Sequence, residues 1–364
     1  MFIEKLILNN YRNYSYGEFN VSNGINVLKG GNAQGKTNCA EAIFYLCTGY
    51  SPKATKDKQV IKYGEKSATI KGVANATYGK VSVEITFNER GRKDIKVNGA
   101  KVSKMGEFIG SINSVFFNPN ELKLIKESPE DRRRFMDISL SQMSKSYFYA
   151  LQKYNNVLSQ RNNLLKSDDK ELIFETLPFW DIKLCEYASK IISERQKFIQ
   201  KLLPICKAKH SILTDGQEDI EVTLECAFSG TEEEITASLL DELKSRYEKD
   251  IILGYTTIGP HRDDLKIKVN GEDVKVYGSQ GQQRTCALSL KLAELEIFKQ
   301  TFNEYPLLIL DDAFSELDKN RRSQLLKVTK GIQTIITCTE LTGEMKLSED
   351  IKIFVIENGS IIND

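Results

Sequence analysis

The stretch GINVLKGGNAQGKTNCAEAIFYLC, residues 24 to 47, decides how the rest of the chain is read. Its opening, INVLKG, is a short strand-like apolar run, and CAEAIFYLC at its end spaces apolar residues for a helix. Between them GGNAQGKT fits G-x-x-x-x-G-K-[ST] as Gly30, Gly35, Lys36 and Thr37. A glycine-rich turn feeding a helix brings unpaired N–H groups and a partial positive charge together, which suits phosphate. The amides of Gly30, Gly31, Asn32, Ala33, Gln34 and Gly35 are expected to cradle phosphates. Lys36 is expected to reach the β- and γ-phosphates, and the Thr37 hydroxyl to ligate Mg²⁺.

A phosphate loop needs an acidic partner, and YPLLILDDAFSELD (305–318) supplies one. Leu307 to Leu310 read as a buried parallel strand ending in two carboxylates, where open α/β sheets hold their ligands. Asp311 is then the Mg²⁺-shell residue and Asp312 the general base for an attacking water. An N-cap pair before the next helix would explain one aspartate but not the apolar run followed by SELD. A third stretch, VYGSQGQQRTCALSLKLAEL (276–295), reads as a helix from about Gln282 with Leu288, Leu292 and Leu295 on one face. It opens on the bare turn Gly278, Ser279, Gln280, Gly281, which again suggests a phosphate contact.

Composition bounds the class. The 364 residues, 40% apolar and 28% charged, suit one large or two ordinary soluble domains. No run approaches a membrane span, and MFIEKLILNNYRNY lacks the features of a signal peptide, so a cytoplasmic protein without membrane contact is expected. Seven cysteines with no C-x-x-C pair indicate neither a disulfide framework nor a zinc site. Charge is unevenly spread. Residues 51 to 104 carry 13 Lys or Arg against 5 Asp or Glu, whereas residues 215 to 242 carry ten acids and no Lys or Arg. A polyanion-binding face set against a solvated or protein-facing edge fits this, as does ordinary solvated surface.

Along the chain, FIEKLILNN, SYGEFNV and GINVLKG read as strands, as do residues 67 to 102, with Asn-Gly hairpin signals at 98–99 and 270–271. ESPEDRRRFMDISL starts a helix, with Ser128 as N-cap and Pro129 at the first position. From there to about Pro204 the period is helical, with breaks expected near KSDDKE and Pro178; this reads as a hairpin with arms near 25 residues. A strand at IEVTLECAF, an acidic helix around 231 to 249 and further strands follow. The simplest organisation is an α/β head from residues 1–125 and 255–364, with a mainly helical arm inserted at 126–254.

The order of phosphate loop, glycine–serine–glutamine turn and strand ending in DD resembles the ATP-binding-cassette superfamily. Its signature serine and glycine amides contact the γ-phosphate of ATP held by the opposite subunit. Within it, LNNYRNY, SPEDRRRFMD, TTIGPHRDDL, GSQGQQRT and LDDAFSELD resemble the RecF family of bacterial recombination and repair proteins, related to SMC heads, over the whole chain. The short helical arm suits that family, since SMC proteins insert several hundred residues of coiled coil there. The resemblance implies an α/β cassette-type ATPase head of mixed sheet and flanking helices, ATP and Mg²⁺ as cofactors, and an ATP-dependent homodimer. It implies that Ser279, Gln280, Gly281, Gln282 and Gln283 act in trans and that Asp318 belongs to a D-loop facing the partner. It further implies binding of double-stranded and gapped DNA, action with RecO and RecR to load RecA, and support of the SOS response. Two departures, Asp312 in place of the glutamate usual in cassette ATPases and TCTE where a histidine is expected, argue for slow hydrolysis and a switch.

Several residues keep two readings. Arg12, after the first strand, is either a phosphate contact or one exposed arginine among many. Lys53, Lys56, Lys58, Arg92 and Lys93 are candidate DNA contacts from the basic segment. Arg132, Arg133 and Arg134 either grip phosphates or brace the arm by salt bridges. His261 and Arg262 stabilise the junction of arm and head or touch DNA; with two histidines in the chain and no ligand spacing, metal binding is disfavoured. The rivals are a transporter's nucleotide-binding subunit, which needs roughly 100 residues between loop and signature where 242 separate Thr37 from Ser279, and an ATP-bound scaffold that does not hydrolyse.

Overall fold

The computed structural model describes residues 1–118, 122–346 and 351–362. The chain divides into two compact units: Met1–Leu122, Ala208–Gln217 and Arg284–Asp364 form one, and Lys123–Lys207 with Glu218–Gln283 the other. The stretch from 255 to 283 therefore groups with the helical insertion, so the chain's return to the first unit comes later than the fading of the helical pattern suggests.

Strands β1 (Phe2–Tyr11), β2 (Tyr14–Asn20), β3 (Ile25–Lys29), β4 (Ser67–Ala76), β5 (Gly79–Asn88), β6 (Lys93–Val97), β7 (Ala100–Lys101) and β8 (Ser114–Phe117) belong to the first unit. Strands β9 (Ile220–Glu225), β10 (Asp264–Val269) and β11 (Glu272–Asp273) belong to the second. The first unit is completed by β12 (Leu307–Asp311), β13 (Thr334–Cys338), β14 (Ile351–Glu357) and β15 (Ser360–Ile362).

In the first unit an antiparallel sheet runs β2-β1-β4-β5-β6-β7 and a mixed sheet runs β15-β14-β3-β13-β12-β8. Alternation fixes the inner face of the antiparallel sheet: Ala68, Ile70 and Ala74 of β4 and Val83, Ile85 and Phe87 of β5 are buried. Asn98 (φ 52°) and Gly99 (φ 81°) join β6 to β7 in the left-handed conformation that a two-residue hairpin demands. In the mixed sheet β3 lies parallel to β13 and β14, and β12 parallel to β13 and β8. Eleven of the thirteen residues in the helix Lys36–Thr48 are buried, because it touches strands of both sheets. Gly72 permits the approach: a Cβ there would stand 2.8 Å from Leu46 Cδ1.

The second unit holds the helices Pro129–Met143 and Lys145–Leu164, most of the helix Lys170–Leu213, and a small antiparallel sheet, β11-β10-β9. The break expected at Pro178 does not occur: Lys170–Leu213 runs for 44 residues through Pro178 and Pro204. Both prolines are exposed, so water can serve the carbonyl four residues back that each leaves without a donor. The hairpin arms are accordingly unequal, 20 and 44 residues, or about 30 and 66 Å at the helical rise. Among the described residues no cysteine forms a disulfide, and no helix is long and apolar enough to cross a membrane.

Polar groups tie this unit together. Arg161 is fully buried and bonds Asp181 through Nε (2.7 Å) and Asp250 through Nη1 (2.7 Å), both aspartates also fully buried. Tyr247 donates to Asp181, and Thr257 donates to Asp250 through its amide and hydroxyl. Removing the arginine strands two carboxylates without a counter-charge, which costs about 3–5 kcal/mol or more. Arg161→Leu is therefore expected to lower the free energy of unfolding in urea by at least about 3 kcal/mol; a loss below about 1 kcal/mol contradicts this role.

Candidate nucleotide site

The loop between β3 and the helix Lys36–Thr48 is shaped by neighbours the sequence reading passed over. Ala33 (φ 62°) and Gly35 (φ 117°) take left-handed backbone. Asn13 Nδ2 donates to Gln34 O (2.9 Å), Tyr14 OH donates to Gly35 O (3.0 Å) and Asn38 Nδ2 donates to Asn13 Oδ1 (2.9 Å). A Cβ on Gly35 would stand 2.7 Å from Asn13 Nδ2 and 3.1 Å from the Tyr14 ring. On the far side, Gly359 N donates to Gln34 O (2.9 Å) and Asn358 N to Gln34 Oε1 (2.6 Å). The β1–β2 and β14–β15 turns thus hold the loop from two sides.

A cleft of about 280 Å³ opens over this loop, lined by Asn32 to Asn38, Lys53, Asp312, Thr337 and Thr339. Thr37 Oγ1 donates to Asp311 Oδ1 (2.8 Å), and Thr337 Oγ1 donates to the same oxygen (2.8 Å). The expected pair of hydroxyl and carboxylate is therefore assembled, and these hard oxygen donors fit Mg²⁺. Lys36 Nζ donates to the carbonyls of Gly30 and Gly31, each at 2.6 Å. Burial lowers its pKa, opposed by the charges of Asp312 and Asp311. Asp312 is exposed, lines the cleft and adopts φ 54°, a conformation aspartate tolerates better than most residues; its amide donates to Thr337 Oγ1 (2.9 Å). Thr337 is the residue missed here, and the signal was its place at the end of the strand TIIT. Cys338, one residue on, is buried, and its carbonyl accepts from Gly30 N (3.3 Å).

Other expected residues lie elsewhere. Arg12 does not line the cleft: its Nε and Nη2 bind both oxygens of Glu41 (2.9 and 2.7 Å). Glu41 is fully buried, so it demands a cation, and a lone acid inside CAEAIFYLC could have announced that need. Ser51 also donates to Glu41 and accepts the amides of Lys53 (2.9 Å) and Ala54 (2.6 Å), so the buried pair shapes the loop carrying Lys53.

The five candidate DNA contacts separate. Lys53 lines the nucleotide cleft, 3.9 Å from Asp311 Oδ2. Lys93 is half-buried and bonds Gly49 O (2.6 Å) and Asp57 Oδ2 (3.1 Å). Lys56, Lys58 and Arg92 are exposed.

In the second unit, Ser279 and Gln282 form a reciprocal cap: Ser279 N donates to Gln282 Oε1 (2.9 Å) and Gln282 N to Ser279 Oγ (3.2 Å). The helix accordingly starts at Gln280, two residues earlier than its apolar pattern indicates. Ser279 and Gln280 are exposed and Gly281 and Gln282 half-buried, whereas Gln283 is buried with Nε2 on Val274 O (3.1 Å). Gln283 therefore braces the turn. Asp318 caps the helix Lys319–Val328; burial raises its pKa, but the bonds from Arg321 outweigh that and hold it below the usual range.

The chain matches the family described as RecF/RecN/SMC N terminal domain over residues 2–361. It is 41% identical over 364 residues to a protein of Clostridium botulinum (strain Eklund 17B / Type B) named DNA replication and repair protein RecF, covering 100% of both chains. It is 43% identical over 342 residues to a protein of the same name from Lachnoclostridium phytofermentans, covering 94% of this chain and 93% of that one. Among solved structures, the recombination mediator protein RecF bound to ATP, described as part of the RecFOR pathway, superposes with a TM-score of 0.89 at 34% identity over 99% of this chain and 97% of that one. An SMC head bound to the C-winged helix domain of ScpA shares the fold at a TM-score of 0.59 and 16% identity, over 99% and 96% of the two chains.

Because Gly35 needs positive φ and has no room for a Cβ, Gly35→Ala is expected to weaken ATP binding by at least about tenfold in calorimetric titration. Unchanged affinity contradicts the loop geometry.

Proposed function

The chain belongs to the RecF family of DNA replication and repair proteins, within the RecF/RecN/SMC class, and from that premise we propose that it is an ATP-gated DNA-binding switch. The observation that carries the proposal is the 2.8 Å bond from Thr37 to Asp311, which joins the phosphate loop and the acidic strand end in one cleft. On ATP binding, Lys36 leaves the Gly30 and Gly31 carbonyls for the β- and γ-phosphates, which offer it a stronger, charge-assisted bond. Thr37 and Asp311 would hold Mg²⁺, which would supply charge neutralisation at the phosphates. Asp312 accepts the proton of the attacking water.

Closure of the site is assigned to a second copy. Ser279, Gln280 and Gly281 of one copy meet the γ-phosphate held by the other, and Asp318 faces the partner beside it. The exposure of Ser279 and Gln280 supports this, since a turn capped by its own Gln282 can meet an outside group without unfolding. Two closed heads then hold duplex or gapped DNA mainly through phosphates, with Lys56, Lys58 and Arg92 as exposed cations for the contact. Slow hydrolysis releases it. With RecO and RecR, the protein is assigned to loading RecA and supporting the SOS response in the cytoplasm.

Ser279→Asp tests closure without removing the helix cap, because aspartate caps as well as serine while its charge repels a partner's γ-phosphate. Sedimentation with Mg²⁺ and a non-hydrolysable ATP analogue is expected to show wild type as a dimer and Ser279→Asp as a monomer that still binds nucleotide. Equal masses for the two proteins contradict the trans contact.

A further inference from the structure

The second unit contains a cleft of about 380 Å³, larger than the nucleotide cleft, whose walls include Arg133, Arg134, Asp137, Tyr154, Arg195 and His261. Most of its polar wall is already committed. Arg195 is buried and bonds Asp137 (2.8 Å), Asp263 (2.9 Å) and Pro260 O (2.6 Å). His261 Nε2 faces Thr256 O (3.0 Å), an acceptor only, so that nitrogen carries the proton and Tyr154 OH donates to Nδ1 (2.6 Å). Burial pushes His261 down to about 4, so it is neutral near pH 7 and has no nitrogen to spare.

Arg133 is different. Arg132, the residue before it, is buried and grips Asp264 with two nitrogens (2.5 and 2.7 Å). Arg133 is half-buried, donates through Nη1 to the carbonyl of Asp263 (2.7 Å), and among the described residues has no carboxylate at ion-pair distance. A guanidinium offers five donors, and among the described residues one is used. Desolvation and the neighbouring charge of Arg195 lower its pKa, only partly opposed by Asp264, Asp137 and Glu130. Two acids line the same cleft, but Asp137 is held by Arg195 and Glu130 is exposed to solvent, and neither lies at ion-pair distance from Arg133. This half-desolvated cation beside another cation therefore gains from a phosphate that meets it directly.

We infer that this cleft is a second phosphate-binding site, separate from the ATP loop, in which Arg133 pairs with a phosphate group and Arg134 of the same helix adds positive charge at its wall. Asp137 does not fill that role, because Arg195 and the Tyr147 hydroxyl already hold it. The fork of a guanidinium matches two phosphate oxygens, and the volume admits the sugar attached to such a group. The phosphate belongs either to a nucleic-acid strand or to a small phosphorylated molecule. The first source rests on the DNA-binding reading above; the site itself does not.

The test uses the full chain with its nucleotide cleft saturated by Mg²⁺ and a non-hydrolysable ATP analogue. Pyrophosphate is expected to raise the unfolding midpoint of wild type, to leave Arg133→Gln unmoved and to act intermediately on Arg133→Lys. In parallel, the slope of log affinity for a short duplex against log salt is expected to fall in magnitude by about 1 in Arg133→Gln, as for the loss of one phosphate contact. Loss of both responses assigns the site to a nucleic-acid strand, and loss of the pyrophosphate response alone assigns it to a small molecule. If Arg133→Gln unfolds more readily without ligand, Arg134→Gln, at an exposed position, replaces it in both arms. Variants that match wild type in both arms overturn the inference. If no chain binds duplex, the DNA reading fails while the pyrophosphate arm still decides the site.

Discussion

One carboxylate oxygen, Asp311 Oδ1, holds together the elements that build the nucleotide cleft. It accepts hydroxyls from Thr37 at the start of the central helix and from Thr337 at the end of β13, and it lies at the end of β12. Three elements distant in sequence are thereby held to one point, at the edge where parallel strands leave their ligand crevice. Asp311 is almost wholly buried, so the two bonds are required by its charge. The residue that stabilises this junction is also the one expected in the Mg²⁺ shell, so the fold and the proposed chemistry draw on the same carboxylate.

A similar economy recurs with arginine. Arg12 neutralises buried Glu41 beside the nucleotide loop, Arg161 neutralises Asp181 and Asp250, and Arg195 neutralises Asp137 and Asp263. In each case a planar fork meets fixed carboxylates, an arrangement that lysine reproduces poorly. Removing one partner is costly while the intact pair adds little net stability, so these pairs chiefly specify which chain segments meet. Against that pattern Arg133 stands out, with one hydrogen bond among the described residues.

Local features were legible in the sequence. The phosphate loop, the strand ending in Asp311 and Asp312 and the two Asn-Gly hairpins are each written in fewer than fifteen residues, and the structure has them as expected. What escaped was decided by distant partners. Arg12 pairs with Glu41 across 29 positions, and Thr337 reaches Asp311 across 26. Lys53 and Lys93 look like surface lysines until the cleft and the Gly49 carbonyl are in place. The helix persists through Pro178 because that proline faces water, which a one-dimensional pattern does not record.

The central claim is that one nucleotide is completed by two chains. The most direct measurement mixes Lys36→Ala, which lacks the phosphate-loop lysine, with Ser279→Asp, which carries a repelling charge in the signature turn, and follows ATP-dependent association and hydrolysis. A mixed dimer contains one intact pairing, the loop of the Ser279→Asp chain with the signature turn of the Lys36→Ala chain. The account predicts that the mixture associates and hydrolyses ATP where neither variant does alone. A mixture as inert as its separate components contradicts it.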